Sequence, residues 1–155
     1  MQKATVVAEA QIAKSAPEGV VLTVLSQLKN GKIDEALAGF AEEFQFKDHG
    51  IGLEFKSKER LAEFFEKTRE LYPDYFLQTD TIFESGNRVI TEWILRFTLT
   101  EPFFGGPKRN LKVSVQGVSI VQIENGNIVE WADYYDGLTS RRMVLGAHFE
   151  ERVEL

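Results

Sequence analysis

Within the stretch Val113–Asp136, V-S-V-Q-G-V-S-I-V-Q-I-E-N-G-N-I-V-E-W-A-D-Y-Y-D, one carboxylate stands where an apolar side chain is expected. Alternate residues of a strand share a face. Val129, Trp131, Asp133 and Tyr135 therefore form one row, and Ile128, Glu130, Ala132 and Tyr134 the other. Asp133 falls in the more apolar row. A carboxylate there must be paired, hydrogen-bonded or partly protonated, because burying a bare charge is costly. An aromatic, dry wall would raise its pKa and make it a general acid or base. The plainer alternative is a structural carboxylate bonded to backbone or to a Tyr hydroxyl.

Asp48 ends a similar row, Phe44, Phe46, Asp48. Two carboxylates facing one cavity would divide their protonation, one serving as acid and the other as base. Asp48 could equally cap the loop that follows it. His49 has the intrinsic pKa for proton transfer, but on a regular strand it faces away from Asp48. It joins the site only if the chain kinks before Gly50. Near the C-terminus, His148 is expected to be solvated. Asp48, His49 and His148 do not make a metal-ligand spacing, so no metal is expected. Gly105-Gly106 lacks the Lys and the following helix of a phosphate loop.

The elements that must position these residues follow from periodicity. Asn125-Gly126 between the β-rich runs Val113–Ile123 and Ile128–Tyr135 predicts a hairpin. Upstream, Met1–Ala16 reads as a short helix or a loose arm. Val20, Val21, Val24, Leu25 and Leu28 then have helical spacing, which Asn30-Gly31 stops. A second helix is expected from Ile33 to about Ala41, with Ile33, Leu37 and Phe40 on one stripe. Phe44–His49 changes to strand period, and the glycines of Gly50–Phe55 loosen the chain. Ser57 is a good N-cap for a helix carrying Leu61, Phe64, Phe65 and Leu71, closed by Pro73.

Two strands follow, Tyr75–Glu84 and Arg88–Thr100, around Ser85-Gly86-Asn87. Val89, Trp93, Leu95, Phe97 and Leu99 mark the buried face of the second, and Glu92, Arg96 and Thr98 its wet face. Glu101–Asn110 is long for a hairpin connection, and its Phe103-Phe104 pair suggests a lid or contact surface. Thr139 should cap a short final helix containing Arg141, Arg142, Met143 and Leu145. Helices, a strand, a helix and then a meander give an α+β class, with helices packed on one face of a curved antiparallel sheet. A strongly bent sheet closed by helices is cone-shaped, and its inside is a pocket. Trp93, Leu95 and Phe97 would line it, though for Phe97 ordinary core is the better reading.

Bulk composition narrows the function classes. The 155 residues suit one domain and 43% are hydrophobic, enough for a core. A net charge of -6 without a basic block argues against a nucleic-acid partner. No apolar run spans a membrane and no signal-peptide pattern opens the chain. The absence of cysteine excludes disulfides and thiolate chemistry and suits a cytoplasmic location. Twelve Phe, two Trp and four Tyr are a high aromatic load, whether as core or as pocket lining.

Gln116-Gly117-Val118, Gly126-Asn127-Ile128 and Trp131-Ala132-Asp133-Tyr134-Tyr135-Asp136 resemble, in that order, the end of the limonene-epoxide hydrolase sheet, with its W-x-D-Y-F-D strand. Phe46–Phe65, above all Asp48-His49-Gly50-Ile51-Gly52-Leu53-Glu54-Phe55, resembles SnoaL-like polyketide cyclases. Both groups belong to the nuclear transport factor 2-like superfamily, and the resemblance, over roughly Val20 to Asp136, implies its cone-shaped fold with a deep pocket. Asp133 matches a catalytic Asp of the hydrolases. After Thr91-Glu92, however, Trp93 and Leu95 stand where their Arg and second Asp would be, and Asp48 and Phe46 where a water-holding Asn and its Tyr partner would be. Epoxide hydrolysis by that triad is therefore not implied.

The cyclase likeness implies instead one Asp working in an apolar pocket. The expected function is a cofactor-independent isomerase, cyclase or lyase acting on an apolar carbonyl-containing small molecule. Asp133, Asp48 and His49 would be catalytic, and Phe46, Trp93, Leu95, Trp131 and Tyr135 would hold the ligand. The alternative is a non-catalytic binding or dimerisation module of the same fold. Such a module has no reason to hold Asp133 above about 5.5. The outer sheet surface, with Glu92 and Arg96, would carry a homodimer contact.

Overall fold

The computed structural model describes residues 16–100 and 110–137. The expected N-terminal arm before residue 16, the Phe103-Phe104 loop, the helix capped by Thr139 and His148 lie outside the described residues.

Helix α1, Pro17–Lys29, starts with proline at its first turn, where the missing N–H costs nothing, and buries Val20, Val21, Val24 and Leu25. Gly31 takes the left-handed conformation (φ 73°) that turns the chain into α2, Ile33–Leu37. The second helix is shorter than its apolar stripe predicted. Ile33 and Leu37 are buried as expected, but Phe40 already belongs to strand β1, Phe40–Asp48. Gly39 marks the change. A Cβ there would come within 2.7 Å of Val24 Cγ2, and its carbonyl accepts the Ile128 N–H at 2.9 Å, drawing the backbone into the sheet.

Beyond β1 the glycine-rich stretch expected to be loose includes a three-residue strand, β2, Leu53–Phe55, antiparallel to β1. Ser57 caps helix α3, Lys58–Leu71, its hydroxyl accepting the Arg60 N–H. Strands β3 (Phe76–Ser85), β4 (Arg88–Leu99), β5 (Leu111–Glu124) and β6 (Asn127–Tyr135) complete a curved open sheet in the order β2-β1-β6-β5-β4-β3. The class is α+β, as predicted. One pairing departs from the antiparallel expectation: β1 runs parallel to β6. Asn125 and Gly126, at φ 51° and 78°, form the predicted β5–β6 turn.

The alternation in β6 holds only from Glu130 onward. Ile123 pairs with Ile128 but Gln122 pairs with Glu130, so Val129 is an extra, bulged residue. Ile128 thereby turns inward and is fully buried, contrary to the row assigned to it above. Strand β4 behaves as read, with Val89, Trp93 and Leu99 buried and Glu92, Arg96 and Thr98 outside or partly so. The main core lies between the helices and the sheet, joining Val21, Val24 and Leu61 to Phe40, Phe44, Phe46 and Trp131. Among the described residues no helix is long and apolar enough to cross a membrane.

Candidate active site

The parallel β1–β6 pairing places Asp48 beside Asp133, and the β5–β6 ladder places Ser119 on the other side of Asp133. All three belong to neighbouring rows on the inner face of the sheet. They line a cavity of about 400 Å³ that is closed by α1 and α3 and walled by Phe46, Trp93, Leu95, Trp131 and Tyr135. The structure thus brings together every site residue predicted from the sequence except one. His49 lies on the outer face, exposed, with its ring stacked on Tyr134 at 4.5 Å. The chain turns directly after Asp48 without bringing the ring inward, and the His49 N–H bonds the Asp133 carbonyl at 3.0 Å.

Asp133 is held from one side. Its Oδ1 accepts the Ser119 hydroxyl at 2.5 Å and the Trp131 indole N–H at 2.7 Å. Among the described residues no hydrogen bond reaches Oδ2. The Trp93 indole N–H in turn donates to Ser119 Oγ at 2.8 Å, so the one Ser119 proton is committed to Asp133. Burial lifts the Asp133 carboxyl to about 7. The Ser119 and Trp131 donors oppose the rise, and the charge of Asp48 adds to it.

Asp48 is buried, where Asp133 is partly so, and it is more fully occupied. Its Oδ1 accepts the Ile51 N–H at 3.1 Å and closes the turn into β2, while Oδ2 accepts the Tyr135 hydroxyl at 3.2 Å. Both readings of Asp48, as turn cap and as cavity carboxylate, hold at once. Burial, followed by the Asp48 charge, keeps the Tyr135 phenol protonated well beyond its ordinary range. Two glycines make room for these rings. A Cβ on Gly117 would lie 2.3 Å from the Trp93 indole, and one on Gly50 would lie 2.1 Å from the Tyr135 ring.

Phe46 stacks on Trp131 at 6.2 Å and meets Phe65 edge-on at 5.8 Å, and Trp93 meets Tyr135 edge-on at 5.8 Å. Such walls keep water from the carboxyl and leave an apolar guest little to hydrogen-bond except the polar end. Among the described residues no group of three His, Cys, Asp or Glu is gathered as a metal site. Chemically, a carboxyl titrating near neutrality, with one oxygen that no described residue hydrogen-bonds, can take up or release a proton at a guest atom.

Sequence reasoning missed Ser119 and Tyr75. Ser119 interrupts the apolar row Val113, Val115, Gly117, Val121 and Ile123, the same kind of signal that marked Asp133. Tyr75 gave no such signal: it read as the first residue of the strand Tyr75–Glu84, and the structure starts that strand at Phe76, just after it.

A family model described as SnoaL-like polyketide cyclase matches residues 19–143. Among curated protein sequences none matches this chain. Solved structures do. IdmH from Streptomyces antibioticus, a proposed polyketide cyclase, is 19% identical with a TM-score of 0.73, over 84% of this chain and 99% of that one. AclR from Streptomyces galilaeus, a proposed hydroxylase, is 16% identical with a TM-score of 0.72, over 88% and 89% of the two chains. A protein of ketosteroid isomerase-like fold from Catenulispora acidiphila is 17% identical with a TM-score of 0.65, over 78% and 87%. Likenesses at this identity establish the fold, and the sequence match establishes the kinship: the chain belongs to the SnoaL-like polyketide cyclase family.

Proposed function

We propose that the chain is a cofactor-independent acid/base enzyme of isomerase, cyclase or lyase type, acting on an apolar carbonyl-containing small molecule. One observation carries this reading: Asp133 sits in an aromatic cavity with both of its donors among the described residues on Oδ1, which leaves Oδ2 to a guest. Its pKa near 7, far above what a binding module needs, supports it. In the ionised form Oδ2 takes a proton from a carbon beside a carbonyl, and the C–H electron pair moves into an enolate. Return of the proton to another atom completes an isomerisation, and attack of the enolate carbon on a second carbonyl closes a ring. Asp48 and Tyr135 hold the neighbouring charge and shape the wall, and Phe46, Trp93, Leu95 and Trp131 bind the apolar body. Pairing of two copies through the outer sheet face belongs to the same reading, supported by the exposed Phe83, Ile90 and Tyr134 there.

The test is hydrogen–deuterium exchange at the carbon beside the carbonyl of 2-tetralone in D₂O, followed by NMR. The protein should accelerate exchange, with a rate that rises with pH and levels off above about 7. Asp133→Asn should remove the acceleration, a loss of roughly 100-fold or more. Binding of the ketone without any exchange would favour the non-catalytic module, the reading to which Trp93 and Leu95 point by standing where the hydrolases have Arg and Asp.

A further inference from the structure

We infer that Tyr75 donates its phenolic hydrogen to the carbonyl oxygen of the guest while Asp133 moves the proton at the neighbouring carbon. The inference rests on the acid/base reading above and adds to it the group that receives the developing negative charge. Once Asp133 has taken the proton the negative charge lies on the guest oxygen, and the neighbouring Asp48 opposes it, so the site needs a neutral donor there.

The cavity hydroxyls divide clearly. Ser119 donates to Asp133, Tyr135 to Asp48, and Thr68 to the Phe64 carbonyl at 2.7 Å. Two cavity phenols have no hydrogen-bond partner at their hydroxyl among the described residues, Tyr72 and Tyr75. Of the two, Tyr75 is the one that the charges of Asp133 and Asp48 reach. Burial and then the charge of Asp133 push it up to about 12, with a smaller contribution from Asp48, whereas Tyr72 is raised by burial alone. At any working pH the Tyr75 phenol therefore keeps its proton and remains a donor.

Its backbone is fixed in advance. The Tyr75 N–H bonds the Tyr72 carbonyl at 2.9 Å. Asp74 clamps the same turn to β4: Oδ1 accepts the Thr98 N–H at 2.9 Å and Oδ2 the Thr98 hydroxyl at 2.5 Å. A donor held this way needs little reorganisation when charge develops on the guest. Asp74 is thus a positioning residue for Tyr75.

Infrared difference spectra of bound 2-tetralone carrying a ¹³C carbonyl, read together with the exchange assay, test the assignment. In the native protein the carbonyl band should lie at lower frequency than in Tyr75→Phe, and Tyr75→Phe should slow exchange roughly 100-fold or more with little change in KM. Asp74→Asn, which keeps one acceptor, should shift the band part of the way, and Asp74→Ala further. Tyr134→Phe, on the outer face, should change nothing. A band unmoved by Tyr75→Phe, or moved instead by Tyr72→Phe, overturns the inference even if exchange still depends on Asp133. A band moved by Tyr75→Phe in a protein that does not exchange the ketone sustains the donor and overturns the base. Failure of the native protein to bind the ketone counts against both.

Discussion

Asp133 takes both of its donors among the described residues on one oxygen, and that asymmetry makes it more than a satisfied structural carboxylate. Ser119 and Trp131 stabilise its ionised form while the aromatic wall penalises it, and burial wins, leaving the carboxyl near 7. The Ser119 donor is the adjustable part of that balance. Removing it with Ser119→Ala deletes an interaction that favours the charged form, so the Asp133 pKa must rise further. A base acts when ionised, so the rate climbs with pH through the pKa. The midpoint of the pH–rate profile of ketone exchange should therefore move upward from about 7, while the rate at high pH is largely kept. A midpoint that stayed in place or fell would mean that the titration seen in the rate does not belong to Asp133.

The β4–β5–β6 ladder turns a row of inward side chains into a relay, and its register depends on a glycine and a bulge. Gly117 pairs with Trp93 on one side and Tyr135 on the other, and its missing Cβ lets the Trp93 indole lie across the strand and reach Ser119. Gly117→Ala would put a methyl 2.3 Å from that indole. The ring must shift, which costs about 1–3 kcal/mol of stability in a packed interior, and the Trp93–Ser119 hydrogen bond should break. Thermal melting and the exchange assay together check this: both Tm and rate should fall, whereas an unchanged rate would show that Trp93 has no part in orienting Ser119. The same elements show what could be read in advance. Alternation marked Asp133 and Asp48 because a carboxylate in an apolar row is a local signal. The Val129 bulge was not legible, since an inserted residue leaves no trace in composition, and counting back from Asn125-Gly126 without it sets Ser119 opposite Ala132. Nor was the parallel β1–β6 pairing, because joining strands so distant in the chain depends on how the whole sheet packs. His49 was misplaced because the turn that follows Asp48 leaves its imidazole on the outer face, stacked on Tyr134, and not in the cavity.

At the scale of the whole molecule the sheet has two unlike faces, and the outer one is less polar than a solvated surface requires. The ladder registers line up Phe83, Ile90, Ile120 and Ala132 as one row across β3, β4, β5 and β6. Phe83 is 58% exposed and Ile90 37%, and Tyr134 lies nearby at 45%. Glu92, Arg96 and the Lys47–Glu130 ion pair lie on the same face. An apolar centre with a charged border is the anatomy of a protein interface, and a two-fold pair would set each apolar row against its copy. Light scattering coupled to size exclusion should give about twice the 17.6 kDa of the chain. Ile90→Asp places a charge in the middle of that row and should yield monomers, since a desolvated unpaired carboxylate costs several kcal/mol. Because Ile90 points away from the cavity, the monomeric variant should still exchange 2-tetralone in proportion to how well it folds. A native protein that ran as a monomer at micromolar concentration would assign the outer face to another partner and leave the chemistry within a single chain.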